Sequence, residues 1–301
     1  MKTILITGSS GFVGSFLKKK LVKKYKVFGI DIVNDNFKDK NYMFFKYDIS
    51  KEDFLKKLRK KKIDYIIHLS AISTDKIFKK NPYTSYKANI NSVINLLNLA
   101  SQTNVENFIF ASSEWVYGNT NMNKKLYEQF PIDRAKNNSG YGISKLIGED
   151  LIVNFYNNKI IKSYVILRFG IVFGPRVSPL GAVEGLLSEV KKDKKIFIFG
   201  SEKSARKYIY INDLIDGIEK VILKKNIGTF NLSHSKLHSM KSIVETANKI
   251  FNVNKKIIIQ KKSKPVIRNV ENLKFKKTFK WKPKYHLKNA LIDIISKVNY
   301  L

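Results

Sequence analysis

Short apolar runs alternate with amphipathic stretches through the first two-thirds of the chain. The runs have the length of buried strands, and they predict strands at residues 3–7, 27–31, 43–47, 65–69, 107–112 and 164–169. The stretches between them predict helices, most clearly at residues 12–24, 53–61, 86–101 and 141–157. Strands that alternate with helices in this way form a parallel sheet with helices on both faces. We therefore expect an α/β, doubly wound fold.

The pattern changes after Gly174 and Pro175, where the elements become shorter and mixed. Helices are expected near residues 212–223, 239–251 and 287–298, and the lysine-rich stretch 255–264 is interpreted as a strand with charged flanks. The sequence therefore predicts two domains. Residues 1–174 form the doubly wound domain, and residues 175–301 mainly form a smaller α/β lobe, with some segments returning to the first domain.

The composition is that of a globular protein with a large core, since 44% of the 301 residues are hydrophobic. Residues 7–10 interrupt the first apolar run, and no later run approaches the roughly 18 residues that would span a bilayer. We therefore expect a cytoplasmic protein without a signal peptide or a membrane segment. The chain has no cysteine and four scattered histidines, so we predict neither disulfides nor a metal site.

The formal net charge of +33 has two interpretations. Positive charge attracts nucleic acid, anionic lipid and acidic substrates, but it also follows from a lysine-rich composition that loads solvated surfaces. Only six of the 57 basic residues are arginine, the residue that nucleic-acid readers use for bidentate contacts, and the lysine runs are spread along the whole chain. We therefore do not expect nucleic acid as a partner. A non-catalytic basic protein that binds nucleotide or RNA stays an alternative.

A glycine motif joins the first predicted strand to the first predicted helix. Gly8 permits a tight turn, Gly11 lets the backbone approach a pyrophosphate, and Gly14 lets helix and strand pack closely. The helix then starts at Phe12 and Val13, and its N-terminus presents amides and a positive dipole end to the phosphates. This arrangement predicts a Rossmann-type dinucleotide site.

Asp31 ends the second predicted strand and is followed by Ile32. Its carboxylate can accept hydrogen bonds from both hydroxyls of a ribose, and it would repel a 2′-phosphate. The motif therefore favours NAD over NADP as the cofactor. A helix cap or a loop residue is the structural alternative for Asp31.

Tyr141 and Lys145 lie one turn apart on one face of a predicted helix. A charged Lys145, together with the positive nicotinamide ring, is expected to lower the pKa of Tyr141 from about 10 towards the working pH. The phenolate could then remove a proton from a hydroxyl whose carbon gives hydride to NAD⁺. Ser113 lies at the end of a predicted strand, where α/β sheets carry out their chemistry. In a chain with 15 tyrosines such a pair also arises by chance.

Together these motifs resemble the extended short-chain dehydrogenase/reductases, in the NAD-dependent epimerase/dehydratase family typified by UDP-glucose 4-epimerase. The resemblance covers essentially the whole chain. It implies that Ser113, Tyr141 and Lys145 are the catalytic residues. It also implies that NAD contacts residues of the glycine motif, of the strand ends and of one helix: Gly8, Gly11, Phe12, Val13, Gly14, Asp31, Ile32, Asp48, Ile49, Leu69, Ala71, Asn89, Tyr141 and Lys145.

Arginine is rare in this chain, and three of the arginines fall in the part assigned to substrate. A guanidinium grips a diphosphate bidentately, whereas a lysine is a point charge. The resemblance also places diphosphate contacts at Arg206 and Arg268, while Arg168, in a buried strand, is expected to be structural. Substrate contacts are therefore predicted at Ser113, Glu114, Arg176, Arg206 and Arg268. Surface salt bridges are the alternative for the arginines.

The chain also departs from the family's pattern. Ile171 replaces an asparagine that anchors the substrate near the diphosphate, Lys207 stands where aspartate is usual, and Asn289 replaces a usual glycine. The family's 4,6-dehydratases place Asp and Glu after their catalytic threonine, one to protonate the leaving hydroxyl and one to remove the C5 proton. Here Glu114 is followed by Trp115. A lone carboxylate cannot easily fill both roles, so dehydration is disfavoured.

The sequence thus predicts an NAD-dependent nucleotide-sugar epimerase that acts at C4 through a transient keto-sugar. Its substrate is a nucleotide-diphosphate sugar, and a 4,6-dehydratase or a 4-keto-sugar reductase on the same site is the alternative. A homodimer is expected, because helices 86–101 and 141–157 carry apolar residues on more than one face and family members pair these two helices with those of their mates. The alternative is that these residues face only their own sheet. They include Ile94, Leu97, Ile147, Leu151 and Phe155.

Overall fold

The computed structural model of the chain describes residues 1–118, 124–133, 135, 137–176, 180–192, 195–224 and 226–298. Its strands are β1 (Thr3–Thr7), β2 (Lys26–Asp31), β3 (Tyr42–Lys46), β4 (Tyr65–His68), β5 (Asn107–Ser113), β6 (Lys125–Leu126), β7 (Tyr164–Phe169), β8 (Val172–Phe173), β9 (Lys195–Phe199), β10 (Ala205–Arg206), β11 (Ile209–Tyr210), β12 (Gly228–Leu232), β13 (His238–Ser239), β14 (Lys256–Gln260) and β15 (Ile267–Val270). Its helices are α1 (Phe12–Leu21), α2 (Asp53–Leu58), α3 (Asp75–Lys80), α4 (Pro82–Gln102), α5 (Gly140–Asn157), α6 (Ala182–Lys192), α7 (Ile211–Leu223), α8 (Met240–Phe251), α9 (Leu273–Phe279) and α10 (Leu287–Lys297), with a 3₁₀ helix at Glu114–Tyr117.

A seven-stranded sheet has the order β12-β7-β5-β4-β1-β2-β3. The pairings that join β3, β2, β1, β4 and β5 are all parallel. The chain runs outward from β1 through β2 to β3 and then returns to the other side of β1 with β4, so the strand order reverses beside β1. In such sheets ligands bind outside the carboxyl ends of the strands at the reversal. The glycine motif follows β1, and Leu69 follows β4, at this edge.

The central strands β1, β4 and β5 are mostly apolar runs because they are buried along their whole length. Leu5, Ile66 and Phe108 lie in one core with Leu96 of α4 and Ile152 of α5. All five residues of β1 are buried. The alternation of strands and helices that the sequence predicted therefore builds the doubly wound, Rossmann-type sheet.

The chain divides into two compact units. The first contains Met1–Gly118, Pro131–Arg168 and Ile215–Phe230, and the second contains Asn119–Phe130, Phe169–Leu214 and Asn231–Leu301. The second unit contains a four-stranded sheet in the order β13-β10-β15-β6 and the two-stranded pairs β11-β8 and β14-β9. The predicted domain boundary after residue 174 stays a prediction.

Two helices begin where local capping chemistry places them. Pro82 opens α4, four residues before the predicted start, because proline suits the first helical turn. Ser139 caps α5 by accepting a hydrogen bond from the amide of Gly142 at 3.0 Å. No helix in the described ranges has the length and apolar character that spanning a bilayer requires.

Candidate active site

The glycine motif forms a close-packed turn between β1 and α1. Gly8 has a φ of +68°, which favours glycine, and a Cβ there would lie 2.9 Å from the backbone of Ser70. A Cβ at Gly14 would lie 2.0 Å from the Gly8 carbonyl oxygen. Gly11 is the N-cap of α1, which starts at Phe12, and the first turn of an α-helix has amides without acceptors inside the helix. The turn therefore fits the pyrophosphate of a dinucleotide.

Asp31, at the end of β2, faces this turn. Its carboxylate accepts hydrogen bonds from the amides of Ser10 at 3.0 Å and Val33 at 3.1 Å, one on each oxygen. A carboxylate oxygen has two acceptor positions, so each oxygen keeps one for a ribose hydroxyl. Ile32, the next residue, is exposed. These positions fit the adenosine half of NAD.

The other cofactor candidates lie after β3 and β4. Asp48 is exposed and accepts hydrogen bonds from the amide and the hydroxyl of Ser50 at 3.0 and 2.7 Å. Ile49 is buried, and its carbonyl accepts from the side chain of Asn95 at 3.0 Å. Ala71 is half-buried. The carboxyl ends of β1, β3 and β4 thus carry candidates for the same ligand.

Asn89 joins the segment after β4 to α5. Its side chain pairs with the backbone amide and carbonyl of Ile72 at 2.8 and 3.0 Å, and its Nδ2 donates to Ser144 Oγ at 2.9 Å. The amide of Leu69 donates to Thr7 Oγ1 at 3.2 Å. The segment that follows β4 is therefore hydrogen-bonded to β1 through Leu69, and it is linked through Asn89 to α5, the helix that carries Tyr141 and Lys145.

Ser113, Tyr141 and Lys145 come together at the carboxyl end of β5. Ser113 is the last residue of β5, and its hydroxyl is hydrogen-bonded to Tyr141. The Nζ of Lys145 lies 5.7 Å from the ring centroid of Tyr141 and 4.6 Å from that of Phe110. The structure thus assembles the three predicted catalytic residues into one cluster.

Burial dominates the electrostatics of this cluster. It raises the pKa of Tyr141 to about 12, an effect that the hydrogen bond with Ser113 partly offsets. It lowers the pKa of Lys145 to about 7, while Glu149 acts in the opposite direction. For the protein without cofactor the shift of the Tyr141 pKa is thus upward, because the buried phenolate loses its water, and the lowering expected in the presence of NAD stays a prediction. The prediction counted on the nicotinamide charge as well.

A buried ion pair that the sequence reasoning missed lies behind the cluster. Glu149, one turn after Lys145 in α5, accepts hydrogen bonds from Arg168 at 2.6 to 3.2 Å and another from Ser112 Oγ. The Nη1 of Arg168 donates to the Tyr117 hydroxyl at 3.0 Å. Arg168 therefore supports the end of β5, in keeping with the structural role expected for it. The signal for Glu149 was a carboxylate four residues after the lysine, on the same helical face.

His68 is a second buried group beside the cluster. Its Nδ1 lies 2.7 Å from Thr7 Oγ1, and its Nε2 lies 3.3 Å from Ser92 Oγ. Burial, and then the charge of Lys145, lower the pKa of His68 well below its ordinary value. The imidazole is therefore neutral at physiological pH and serves to hold the carboxyl ends of β1 and β4 together.

Arg206 and Arg268 occupy neighbouring strands of the second unit. The parallel strands β10 and β15 place them opposite each other, and His238 lies opposite Arg206 on β13. Arg268 is 1% exposed, and Arg206 donates to the carbonyls of Ala205, at 2.9 Å, and Val266. Because opposite residues point to one face of a sheet, the two arginines form a cationic pair.

The other two substrate candidates are held by their own surroundings. Arg176 Nε lies 2.9 Å from the buried Glu184 carboxylate, and its Nη2 donates to the carbonyl of Val172 at 2.7 Å. Glu114 follows Ser113 in the 3₁₀ helix and is fully buried. The ion pair of Arg176 and the burial of Glu114 were not predicted from the sequence, since charged side chains are rarely buried without a partner.

The sequence model of the NAD dependent epimerase/dehydratase family matches residues 4–233. This range runs from β1 to β12 and contains the glycine turn and the cluster of Ser113, Tyr141 and Lys145. The chain belongs to this family. It is therefore an NAD-dependent enzyme of the epimerase/dehydratase class. The predicted family, Rossmann-type α/β fold, enzyme class and cofactor are confirmed.

Two relatives are similar to the chain over most of its length. An uncharacterised protein of Methanocaldococcus jannaschii is 31% identical over 96% of this chain and 94% of its own. An uncharacterised UDP-glucose epimerase of Bacillus subtilis is 32% identical over 80% of this chain and 79% of its own. These shares show that the family resemblance extends beyond the first unit.

Among solved structures, the chain is similar to the UDP-glucuronic acid 4-epimerase of Bacillus cereus in complex with UDP-glucuronic acid and NAD. The two superpose with a TM-score of 0.86 at 27% identity, over 98% of each chain. The second unit therefore follows the fold of this family of enzymes as well as the first.

Proposed function

We propose that the chain is a UDP-sugar 4-epimerase that uses NAD. The observation that carries the proposal is the cluster of Ser113, Tyr141 and Lys145 at one strand end, followed by Glu114 and Trp115. An acid/base beside a hydroxyl and an ammonium serves the reversible oxidation of a sugar hydroxyl, whereas dehydration needs a second carboxylate where Trp115 stands. The UDP-glucose and UDP-glucuronic acid epimerases among the similar proteins support this choice.

The chain's own residues handle the proton. NAD⁺ supplies, when bound, the hydride acceptor and donor for C4 of the sugar. Tyr141 Oη takes the proton of the C4 hydroxyl and returns it to the keto oxygen. Ser113 Oγ holds the phenol through their hydrogen bond, and the Lys145 ammonium stabilises the phenolate. The keto-sugar turns over between the two transfers, so hydrogen returns to the opposite face of C4.

The proposed substrate grip is the arginine pair. Arg206 and Arg268, opposite each other on β10 and β15, bind the diphosphate, and Arg176 and Glu114 add substrate contacts. In this division residues 1–174 bind NAD and carry the catalytic cluster, while residues 175–301 mainly bind the nucleotide-sugar. Ile171, in place of the family's asparagine, makes the grip near the diphosphate differ from that of UDP-glucose epimerases.

A panel of nucleotide-sugars tests the reaction class. The protein is incubated with NAD and UDP-glucose, UDP-galactose or UDP-glucuronic acid, and the products are followed by mass spectrometry and NMR, with Tyr141→Phe as the control. An unchanged mass with altered coupling at C4 supports the proposal. Loss of water identifies a dehydratase. No turnover, together with salt-sensitive RNA binding, identifies the non-catalytic alternative.

We also propose that two copies pair through α4 and α5. The two helices pack on each other, and Ile94 and Tyr83 of α4 are exposed apolar residues on the chain. Leu97 is instead buried in the core, so it is explained without a partner. Light scattering at micromolar concentration should give twice the chain mass, and Ile94→Lys should shift it towards the monomer. A monomeric wild-type protein would contradict the pairing.

A cytoplasmic location is proposed on the cysteine-free sequence, which suits a reducing compartment. Cell fractionation of the tagged protein tests it, and recovery with the membranes would contradict it.

A further inference from the structure

Three lysines among the described residues are buried. Lys145 belongs to the catalytic cluster, and Lys207, next to Arg206, lies 3.7 Å from the Glu271 carboxylate. The third is Lys18 of α1, whose side chain is 4% exposed. Other lysines of this chain are solvated in large numbers, so composition does not account for a buried one. An ammonium group leaves water only at a large cost unless it is paired. The surroundings of Lys18 therefore indicate what it stabilises.

Lys18 lies in a closed cluster with Asp35, Phe37 and Tyr42, here named the Lys18 cluster. Its ammonium pairs with the Asp35 carboxylate, whose side chain is also 4% exposed. The Nζ lies 5.3 Å from the ring centroid of Phe37 and 5.4 Å from that of Tyr42, within cation–π range. The amide of Phe37 donates to Asp35 at 3.0 Å. The described contacts of the Lys18 ammonium are thus one carboxylate and the faces of two aromatic rings.

The Tyr42 hydroxyl connects this cluster to the glycine turn. It donates to Asp35 Oδ2 at 2.6 Å and lies 3.3 Å from Ser9 Oγ. Ser9 is fully buried between Gly8 and Ser10. A Cβ on Gly29 would lie 2.0 Å from the Tyr42 hydroxyl and 2.7 Å from Ser9 Oγ. The glycine in β2 therefore makes room for this junction.

The cluster also holds the segment that follows Asp31. Residues 32–41 form neither helix nor strand, and most of them are exposed. Asp35 and Phe37 are the members of the segment that reach the cluster. Asp31 itself bonds Ser10 of the glycine turn and Val33 of this segment. The hydrogen bonds of Tyr42 and Asp31 thus fix the position of Asp31 relative to the glycine turn.

We infer that the Lys18 cluster positions the adenosine half of the NAD site, with Tyr42, Asp35 and Lys18 as positioning residues that act through Ser9 and Asp31. The inference rests on the NAD site proposed above. It assigns to the buried lysine a role in cofactor affinity that is separate from the catalytic cluster.

Tyr42→Phe tests the inference, because it keeps the ring against Lys18 but removes the oxygen between Asp35 and Ser9. NAD⁺ and ADP-ribose are titrated calorimetrically into protein freed of bound nucleotide. Both dissociation constants should rise about three- to tenfold, the range that one lost hydrogen bond gives. Turnover should fall at low NAD⁺ and recover as the NAD⁺ concentration is raised. Ser9→Ala should give the same rise, and the double variant should add little to either single one.

Tyr65→Phe is the matched control. The Tyr65 hydroxyl is bonded to Glu106 at 3.3 Å at the start of β4, the opposite end of the strand from the cofactor site. It should leave both dissociation constants unchanged. Equal affinities for wild type and Tyr42→Phe would overturn the inference, and so would an equal loss in Tyr65→Phe. A wild-type protein that binds neither ligand would contradict the NAD site itself, and the inference with it.

Discussion

Replacing Lys145 by methionine should stabilise the protein while it lowers turnover. The lysine is 3% exposed, and burial lowers its pKa from 10.5 to about 7. The folded protein therefore holds this ammonium at a free-energy cost, as functional sites often do. Methionine has a similar length, and it removes the charge together with the catalytic support for Tyr141.

The pKa determines both the size and the pH range of the effect. A fall from 10.5 to about 7 corresponds to about 5 kcal/mol, an upper figure because methionine also loses the ammonium–ring contacts with Phe110 and Tyr141. The unfolded chain binds the proton more tightly than the folded one, so the cost is full below about pH 7 and is lost as the pH rises to about 10.5. Lys145→Met should therefore raise the melting temperature by about 5–10 °C at about pH 6.5 and by little at about pH 10.

Scanning calorimetry at these two pH values measures the difference directly. Lys57→Met, at an exposed lysine of α2, is the control and should leave the melting temperature nearly unchanged at both. Turnover of Lys145→Met should fall on the same preparations. A lower melting temperature than wild type at about pH 6.5 would refute the claim that burial dominates at Lys145.

Three further substitutions test the site. Tyr141→Phe should lower turnover about 10²–10⁴-fold, because it removes the acid/base and keeps the ring, with unchanged nucleotide-sugar affinity by calorimetry. Glu149→Gln should shift the alkaline limb of the activity profile to lower pH, because Glu149 raises the pKa of Lys145. It should also cost about 3–5 kcal/mol in denaturant unfolding, since Arg168 keeps its buried charge. Asp31→Ala should reduce the preference for NAD over NADP in the ratio of dissociation constants.

Each of these three predictions has a result that would contradict it. Tyr127→Phe, at an exposed tyrosine, is the control for Tyr141→Phe. Similar turnover in both variants would show that Tyr141 is not the acid/base. If the alkaline limb does not move in Glu149→Gln, Glu149 does not raise the pKa of Lys145. Tighter binding of NADP than NAD by the wild type would overturn the role of Asp31.

The parallel sheet was predictable because its central strands are mostly apolar runs. Thr3–Thr7 and Tyr164–Phe169 have the predicted bounds, since most of their residues are apolar and their inner residues are buried. The mixed elements after Gly174 were harder. The strand β9 and the helix α6 (Ala182–Lys192) were not predicted, because a half-exposed strand and a short amphipathic helix give weak signals over few residues.

The candidate site divides along similar lines. The glycine turn, Asp31 and the tyrosine–lysine pair were predictable, because each depends on local spacing. The Glu149–Arg168 pair and the Lys18–Asp35 pair were not, since partners 19 and 17 residues apart meet only in the fold. The pKa of Lys145 also depends on how deeply the fold buries it, which local spacing does not reveal.

Turnover in D₂O distinguishes NAD-dependent epimerisation at C4 from the alternative reactions. The protein is incubated with NAD and a UDP-sugar, and the 4-epimer is analysed by mass spectrometry and NMR. The 4-epimer should carry no carbon-bound deuterium, because the hydrogen removed from C4 returns to C4 while Tyr141 exchanges only the oxygen-bound proton. Deuterium on a sugar carbon, or a product that has lost water, would contradict the account.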